Sequence, residues 1–212
     1  MTLWVIATRN RGKLVELAPL LAAHGVSPQT LDEAGVPASS FEDGLEVFDT
    51  FEENALAKAR YFAALCGVPC IADDSGLCVD VLHGAPGVRS RRFAADRGVA
   101  ALDPANEEGA NNRALIAACW TTGARPPWHA QYTCAAAFVG DGREVVALGR
   151  SAGFLQPEPE GLQGFGFDPH FCSSDLGVTF AVASREAKQR VSHRGRAVAA
   201  LLALLDQPRA NA

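Results

Sequence analysis

No apolar run in this 212-residue chain approaches the ~20 residues a membrane-crossing helix needs, so no membrane partner is expected. Cysteine never occurs as Cys-x-x-Cys. The six stand apart at 66, 70, 78, 119, 134 and 172, which argues against a clustered zinc site and leaves buried reduced thiols as the expectation. Positive charge is not in excess either. A formal net charge of -5 argues against coating nucleic acid, although it permits a locally positive cleft for one anionic small molecule. No signal peptide is read at the start, because Met1-Thr2-Leu3-Trp4 runs into a strand and Arg9, Arg11 and Lys13 interrupt any apolar segment; a cytoplasmic location is expected. Repeats are lacking, and the composition is otherwise ordinary: 48% hydrophobic and 20% charged. A chain of this length can bury a full core without staples, as one domain or as one core in two lobes.

The stretch with most to say runs from Ile71 to Phe93. Val68-Pro69-Cys70-Ile71-Ala72 has the length of a buried strand, and two adjacent carboxylates, Asp73 and Asp74, follow at once. Ser75-Gly76 then reads as a turn. Within a regular strand the two aspartates would point to opposite faces. A strand ending there lets the turn bring both toward one cleft, where they would repel unless a cation or proton sat between them. The same four residues also suit an Asx turn that caps the next segment.

Leu3-Trp4-Val5-Ile6-Ala7 reads as a buried strand, and Thr8 to Lys13 as a polar turn. Leu14, Leu17, Leu20 and Leu21 recur at helical spacing until Gly25, with Pro19 expected to kink that helix. Asn10 stands where an N-cap belongs, and the free amides of such a terminus favour an anion. The Gly-x-x-x-x-Gly-Lys-Ser/Thr pattern is absent. Residues 26–50 hold Pro28, Gly35, Pro37 and Gly44 among acidic residues and read as a mobile loop region. Thr50-Phe51-Glu52-Glu53 is a capping box for a helix reaching Gly67, with Asn54 and Lys58 on one face. A helix is expected over 106–119. Strands over 131–139 and 143–148 are joined by the hairpin signal Gly140-Asp141-Gly142. Gly164-Phe165-Gly166-Phe167-Asp168-Pro169 offers aromatics that could stack on a base or close a core. The segment 184–205 is helical in pattern, broken near Ser192-His193-Arg194-Gly195.

Taken together, Thr8-x-Asn10-x-x-Lys13, Phe51-Glu52-Glu53-Asn54-Ala55-x-x-Lys58-Ala59, Ala72-Asp73-Asp74-Ser75-Gly76, Gly84-Ala85-Pro86-Gly87, Gly164-Phe165-Gly166-Phe167-Asp168-Pro169 and Lys188…Ser192-His193-Arg194 resemble one family in order, over residues 3 to about 205. It is the inosine/xanthosine triphosphate pyrophosphatases. The resemblance implies an α/β fold with a long mixed central β-sheet, flanking helices and two lobes around a nucleotide-binding cleft. It implies one domain over 1–212, a frayed tail from about 206, and a homodimer. The implied activity is Mg²⁺-dependent hydrolysis of ITP, dITP and XTP to the nucleoside monophosphate and pyrophosphate.

Carried over by position, Asp74 is the general base and a metal ligand with Asp73 beside it, and Glu42 is the second acidic ligand. Thr8, Arg9, Asn10, Arg11, Gly12 and Lys13, with Lys58, hold the triphosphate, and Ser75 contacts substrate. Phe165, Gly166, Phe167, Asp168, Lys188, His193 and Arg194 frame the base. Arg194 or His193 can donate to a 6-oxo purine, whereas the 6-amino group of adenine would leave a buried donor unpaired. One departure from the family pattern is Leu45-Glu46-Val47-Phe48-Asp49, inserted before Thr50-Phe51, which leaves Glu46 or Asp49 as alternatives to Glu42. An aspartyl-nucleophile phosphatase would want Asp-x-Asp at a strand end, and here the aspartates adjoin. A pyrophosphatase of another base preference and a non-catalytic nucleotide sensor are the competing readings.

Overall fold

The computed structural model describes residues 2–100 and 106–208. Six strands form one mixed sheet in the order β2-β1-β3-β4-β5-β6. They are β1 Thr2–Ile6, β2 Val26–Thr30, β3 Cys70–Val79, β4 Trp128–Gly140, β5 Arg143–Leu155 and β6 Phe171–Ser173. The helices are α1 Arg11–Ala23, α2 Phe51–Cys66, α3 Glu107–Thr121, α4 Arg185–Val191 and α5 His193–Leu205. β1 lies parallel to both β2 and β3, and β6 runs antiparallel to β5. Asp141 (φ 51°) and Gly142 (φ 69°) make the tight hairpin between β4 and β5. Among the described residues no helix is long and apolar enough to cross a membrane.

Several elements begin where local chemistry places them. The Asn10 side chain accepts from the Lys13 amide and starts α1, and Thr50 accepts from the Glu53 amide and starts α2, which Gly67 closes in a left-handed conformation. Ser184 caps α4, and the extended Ser192 separates it from α5. The expected mobile region 26–50 instead contains β2 and a 3-10 turn over Ser40–Gly44, closed by a Ser39/Glu42 capping box. Pro28 is tolerated in β2 because that strand is the sheet's edge, where a missing N–H costs no ladder bond. Of the tail expected from about 206, residues 209–212 lie outside the described residues, and Asp206 meets the His24 ring at 3.2 Å.

Contacts divide the chain into two compact units. The first comprises Met1–Asp74, Cys134–Gly149 and His193–Ala212; the second comprises Ser75–Thr133 and Arg150–Ser192. In the first unit the sheet is buried on both faces, and its strands alternate between two cores. Trp4, Ile6, Ile71, Cys134, Ala136 and Phe138 face one way, with Leu17 and Leu21 of α1 and Val198, Leu201 and Leu202 of α5. Val5, Ala7, Cys70, Ala72, Ala135 and Ala137 face the other, with Ala55, Ala59 and Phe62 of α2. That period of two decides where every later side chain of β3 points. The second unit has its own core, in which Leu77, Leu115, Trp128, Tyr132, Phe167, Phe171 and Phe180 meet. All six cysteines are free thiols, and burial pushes Cys70 up to about 12 and Cys119 up to about 11.

Candidate active site

β3 does not end at the aspartates. It continues through Ser75 and Gly76 to Val79, so Asp73 and Asp74 point to opposite faces, and the expectation that a turn gathers both toward one cleft is corrected. Gly76 is a glycine for another reason: a Cβ there would lie 2.1 Å from the Gly87 carbonyl oxygen and 2.5 Å from Ser90 Oγ. Ser90 Oγ in turn accepts the Leu77 N–H at 2.9 Å. The residue that reads as a turn marks a close backbone approach.

Asp73 follows Ile71 onto the face of α1 and α5 and is fully buried. Its Oδ2 accepts Arg194 Nε at 3.0 Å and lies 3.0 Å from Arg194 Nη2, 3.3 Å from Lys13 Nζ and 3.8 Å from Cys134 Sγ. The rest of the Arg194 fork pairs with Glu16 on α1. Burial alone would raise the Asp73 carboxyl, but Lys13, Arg194 and Lys58 outweigh it and hold it below the usual carboxylate range. Arg194, expected to frame the base, is 1% exposed and bonded to Asp73 and Glu16. Asp73, expected beside the catalytic base, adjoins Asp74 in β3 with its side chain buried on the other face.

The backbone of Asp73 does something its side chain does not. Ala7 N–H takes the Ile71 carbonyl at 2.7 Å, and there β1 is already leaving the ladder. Two residues on, the Asp73 carbonyl points to the same edge, beyond the last paired residues of β1, Val5 and Ile6. Lys58 Nζ donates to it at 2.6 Å and Lys13 Nζ at 3.3 Å. Two ammonium groups from two helices therefore meet on one oxygen beyond the paired part of β1. Such a pair of like charges can take an anion where a cation offsets the carboxylates paired with it.

Asp74 follows Ala72 onto the α2 face. Asn54 Nδ2 donates to its Oδ2 at 3.0 Å, and Lys58 Nζ lies 4.0 Å from its Oδ1. Asn54 is itself held by the Phe48 backbone, accepting from its N–H and donating to its C=O. Lys58 also pairs with Glu46. Burial raises the Asp74 carboxyl and Glu46 adds to the rise, with Lys58 and Lys13 pulling against them; the balance is upward. Glu46 goes the other way: burial would raise it, but Lys58 and Lys13 take it below its ordinary value. Lys58 is held charged, its neighbours Glu46, Asp74 and Asp73 outweighing burial.

Glu42 is not brought to Asp74. Both its oxygens take the Arg9 guanidinium, at 3.2 and 2.9 Å, and Oε1 also accepts the Ser39 N–H. Arg9 spends its other donors on Asp32 and the Val36 carbonyl. This pair struts the segment after β2, while the carboxylate paired with Lys58 is that of Glu46. Thr8 Oγ1 accepts the Asn10 N–H at 3.2 Å, while Arg11 and Gly12 open α1. Around Lys13, Lys58 and Arg194 four carboxylates gather: Asp73, Asp74, Glu46 and Glu16. One negative charge more than positive, with Asp74 and Glu46 both hard oxygen donors beside the lysine pair, fits a small divalent cation. Among the described residues, no group of three or more His, Cys, Asp and Glu is placed to hold a metal ion.

In the second unit, Asp168 is the junction. Its Oδ2 accepts Lys188 Nζ at 2.6 Å and the Phe165 N–H at 2.9 Å, and Tyr132 Oη approaches its Oδ1 at 3.4 Å. Lys188 Nζ lies 5.1 Å from the Phe165 ring centre. Phe165 is half-buried, whereas Phe167 is buried in the core; of the two expected base-stacking rings, Phe167 is a core residue. Ser75 lies in β3 immediately after Asp74, and His193 is buried at the start of α5. Glu16, Asn54 and Tyr132 were not assigned site roles from sequence. Only helical spacing could have flagged Glu16, three residues after Lys13, and Asn54, four before Lys58.

A model described as the Ham1 family matches residues 4–204. A dITP/XTP pyrophosphatase from Nitrosomonas europaea is 40% identical over 206 residues, covering 96% of this chain and 94% of the relative. One from Burkholderia pseudomallei is 41% identical over 208 residues, covering 97% and 94%. Among solved structures, a HAM1 protein from Coxiella burnetii is similar at a TM-score of 0.79 with 30% identity, over 97% of this chain and 98% of that one. A nucleoside-triphosphatase, dITP/XTP pyrophosphatase, from Mycobacterium abscessus is 38% identical at a TM-score of 0.66, over 97% and 100%. With the motifs in order and both units covered, the chain belongs to the Ham1 family.

Proposed function

We propose that the protein hydrolyses non-canonical purine nucleoside triphosphates, ITP, dITP and XTP, to the monophosphate and pyrophosphate. The observation that carries this reading is the convergence of Lys13 and Lys58 on the Asp73 carbonyl beside a carboxylate whose proton affinity is raised. The names of the relatives support the substrate class: proteins about 40% identical over nearly the whole chain are called dITP/XTP pyrophosphatases.

In this reading Asp74 accepts a proton from the attacking water. Asn54 donates to its Oδ2 at 3.0 Å, and Lys58 Nζ lies 4.0 Å from its Oδ1. As the water oxygen bonds to the α-phosphorus, the bridge from α-phosphorus to the β-phosphate breaks and its electron pair leaves with pyrophosphate. Lys13 and Lys58 stabilise that leaving group, and positioning and charge supply most of the rate, as in other phosphoryl transfers. Asp74 and Glu46 are the residues that would hold Mg²⁺. When bound, the ion neutralises phosphate oxygens and makes a coordinated water more acidic. Phe165, Asp168 and Lys188 are assigned to the base end, and a homodimer is the proposed assembly.

The test is a panel of ITP, XTP, dITP, ATP and GTP with Mg²⁺, with products identified. Monophosphate and pyrophosphate from the deaminated purines, at rates well above those for ATP, support the reading. Orthophosphate as first product, or no turnover with bound nucleotide, would point to a phosphatase or a sensor.

A further inference from the structure

Gly166 is held on both sides of its own residue by one helix. Its N–H donates to Glu108 Oε2 at 2.9 Å, and its carbonyl accepts from Asn112 Nδ2 at 3.0 Å. Glu108 and Asn112 are four apart on α3, so they share one face and reach one residue together. Gly166 takes a left-handed φ of 61°, which glycine adopts at no steric cost and which sets the direction in which Phe165 leaves the loop. The next residue of the loop to be tied down is Phe165, whose N–H is held by Asp168. Gly164 closes the turn from the other side, since a Cβ there would lie 2.1 Å from Asp168 Oδ2. Asn111, the neighbour of Asn112, faces elsewhere: it accepts the Ala94 N–H and donates to the Arg91 carbonyl. The first turns of α3 thus bind two separate segments through side chains. Neither Glu108 nor Asn112 is needed for the core, which α3 joins through Ala110, Ala114, Leu115 and Cys119.

We infer that Glu108 and Asn112 are positioning residues that clamp the loop carrying Phe165 and Asp168, and so set how tightly the purine end of the substrate is held. The inference rests on the functional reading above for what the loop binds, but not for the clamp itself. The Lys188–Asp168 pair fixes the loop's C-terminal half. The α3 clamp adds to the bonds Asp168 makes with the Phe165 amide and carbonyl and holds Gly166, the residue between Phe165 and Phe167. A bond to a charged acceptor and one to an amide are lost separately in Glu108→Ala and Asn112→Ala. Because the chemistry at Asp74 lies in the other unit and uses neither residue, the loss falls on binding and not on turnover.

The experiment compares Glu108→Ala, Glu108→Gln and Asn112→Ala with the wild type, reading pyrophosphate release from ITP and hydrogen exchange at the Gly166 amide. The expected result is a KM for ITP raised about 5- to 20-fold in each alanine variant with kcat within about twofold. Glu108→Gln keeps an acceptor for the Gly166 N–H and should restore most of the lost affinity. Gly166 exchange should speed in Glu108→Ala and stay slow in Glu108→Gln, while core amides keep their protection. An unchanged KM in both alanine variants, a loss confined to kcat, or Glu108→Gln behaving like Glu108→Ala would overturn the inference. A wild-type protein that leaves ITP intact would overturn the functional reading alone; the clamp would then stand or fall on the Gly166 exchange.

Discussion

Replacing Arg194 with methionine is the perturbation whose outcome the geometry fixes most narrowly. Arg194 touches Asp73 through Nε and Nη2, both 3.0 Å from Oδ2, and its remaining nitrogen holds Glu16. Methionine fills much of the volume and leaves two carboxylates behind, one of them with no exposed surface. Breaking a buried pair by removing one partner costs about 3–5 kcal/mol, because the other charge stays buried. For a chain of this size that is a fall in Tm of about 6–20 °C. The pH dependence carries the cause. In the wild type the Asp73 pKa lies below its unfolded value near ~3.9, so its contribution is complete above that value and is lost as pH falls through the folded pKa. In Arg194→Met the acid no longer has its guanidinium, takes up a proton more readily, and the deficit against wild type should shrink as pH is lowered. Asp73→Asn in the Arg194→Met background should recover part of the loss, giving a strongly non-additive double-mutant cycle. Chemical denaturation at pH 7 and pH 5 measures all of it. A loss under about 1 kcal/mol in Arg194→Met, together with a changed preference between ITP and ATP, would refute the reasoning and return Arg194 to the base.

Asp74→Asn should lower kcat by about 10²- to 10⁴-fold while ITP still binds by calorimetry. Because the folded Asp74 pKa is raised, the acid limb of the wild-type rate profile should lie above the ordinary aspartate value of ~3.9, with activity rising as pH increases through it. That limb should vanish from the residual rate of Asp74→Asn. Glu46→Gln should raise the Mg²⁺ concentration for half-maximal activity by at least the ~10- to 100-fold that losing an outer-shell partner costs a metal site. Glu42→Gln should leave that concentration unchanged and lower only stability, since its carboxylate is spent on Arg9 and the Ser39 cap; a Mg²⁺ titration of both variants separates the two acids. Gly76→Ala should destabilise by about 1–3 kcal/mol, measured by thermal unfolding, because its Cβ meets the rigid Gly87 carbonyl rather than a movable side chain.

What could be read from the sequence is what short-range chemistry decides. Asn10 and Thr50 announce the starts of α1 and α2 because each side chain bonds an amide three residues on. The Asp141-Gly142 hairpin and the break at Ser192 are equally local. Lys13, Lys58 and Asp74 come together as expected, since each sits at a fixed place on an element that the pattern identifies. β2 escaped notice because Pro28 and its polar neighbours carry no strand signal; the strand exists through its pairing with β1. Gly76 misled because a glycine needed for close approach looks the same in sequence as one needed for a turn. From that error followed the pairing of Asp73 with Asp74 in one cleft, when the continued strand separates them by face. The partners of Arg194 and Glu42 were not legible for a related reason. Asp73, Glu16 and Arg9 lie 121, 178 and 33 positions away, and no local pattern ranks one charged partner above another. The family resemblance supplied residue types in order, but the Leu45–Asp49 insertion left Glu42, Glu46 and Asp49 as alternatives, and the pairing of Glu46 with Lys58 is what favours Glu46 in the proposal.

The central claim is that water attacks the α-phosphorus of a deaminated purine triphosphate held by Lys13 and Lys58. Hydrolysis of ITP in ¹⁸O-enriched water, followed by mass analysis of both products, tests it most directly. The account predicts one heavy oxygen in inosine monophosphate and none in pyrophosphate; label in the pyrophosphate, or in released orthophosphate, would contradict it.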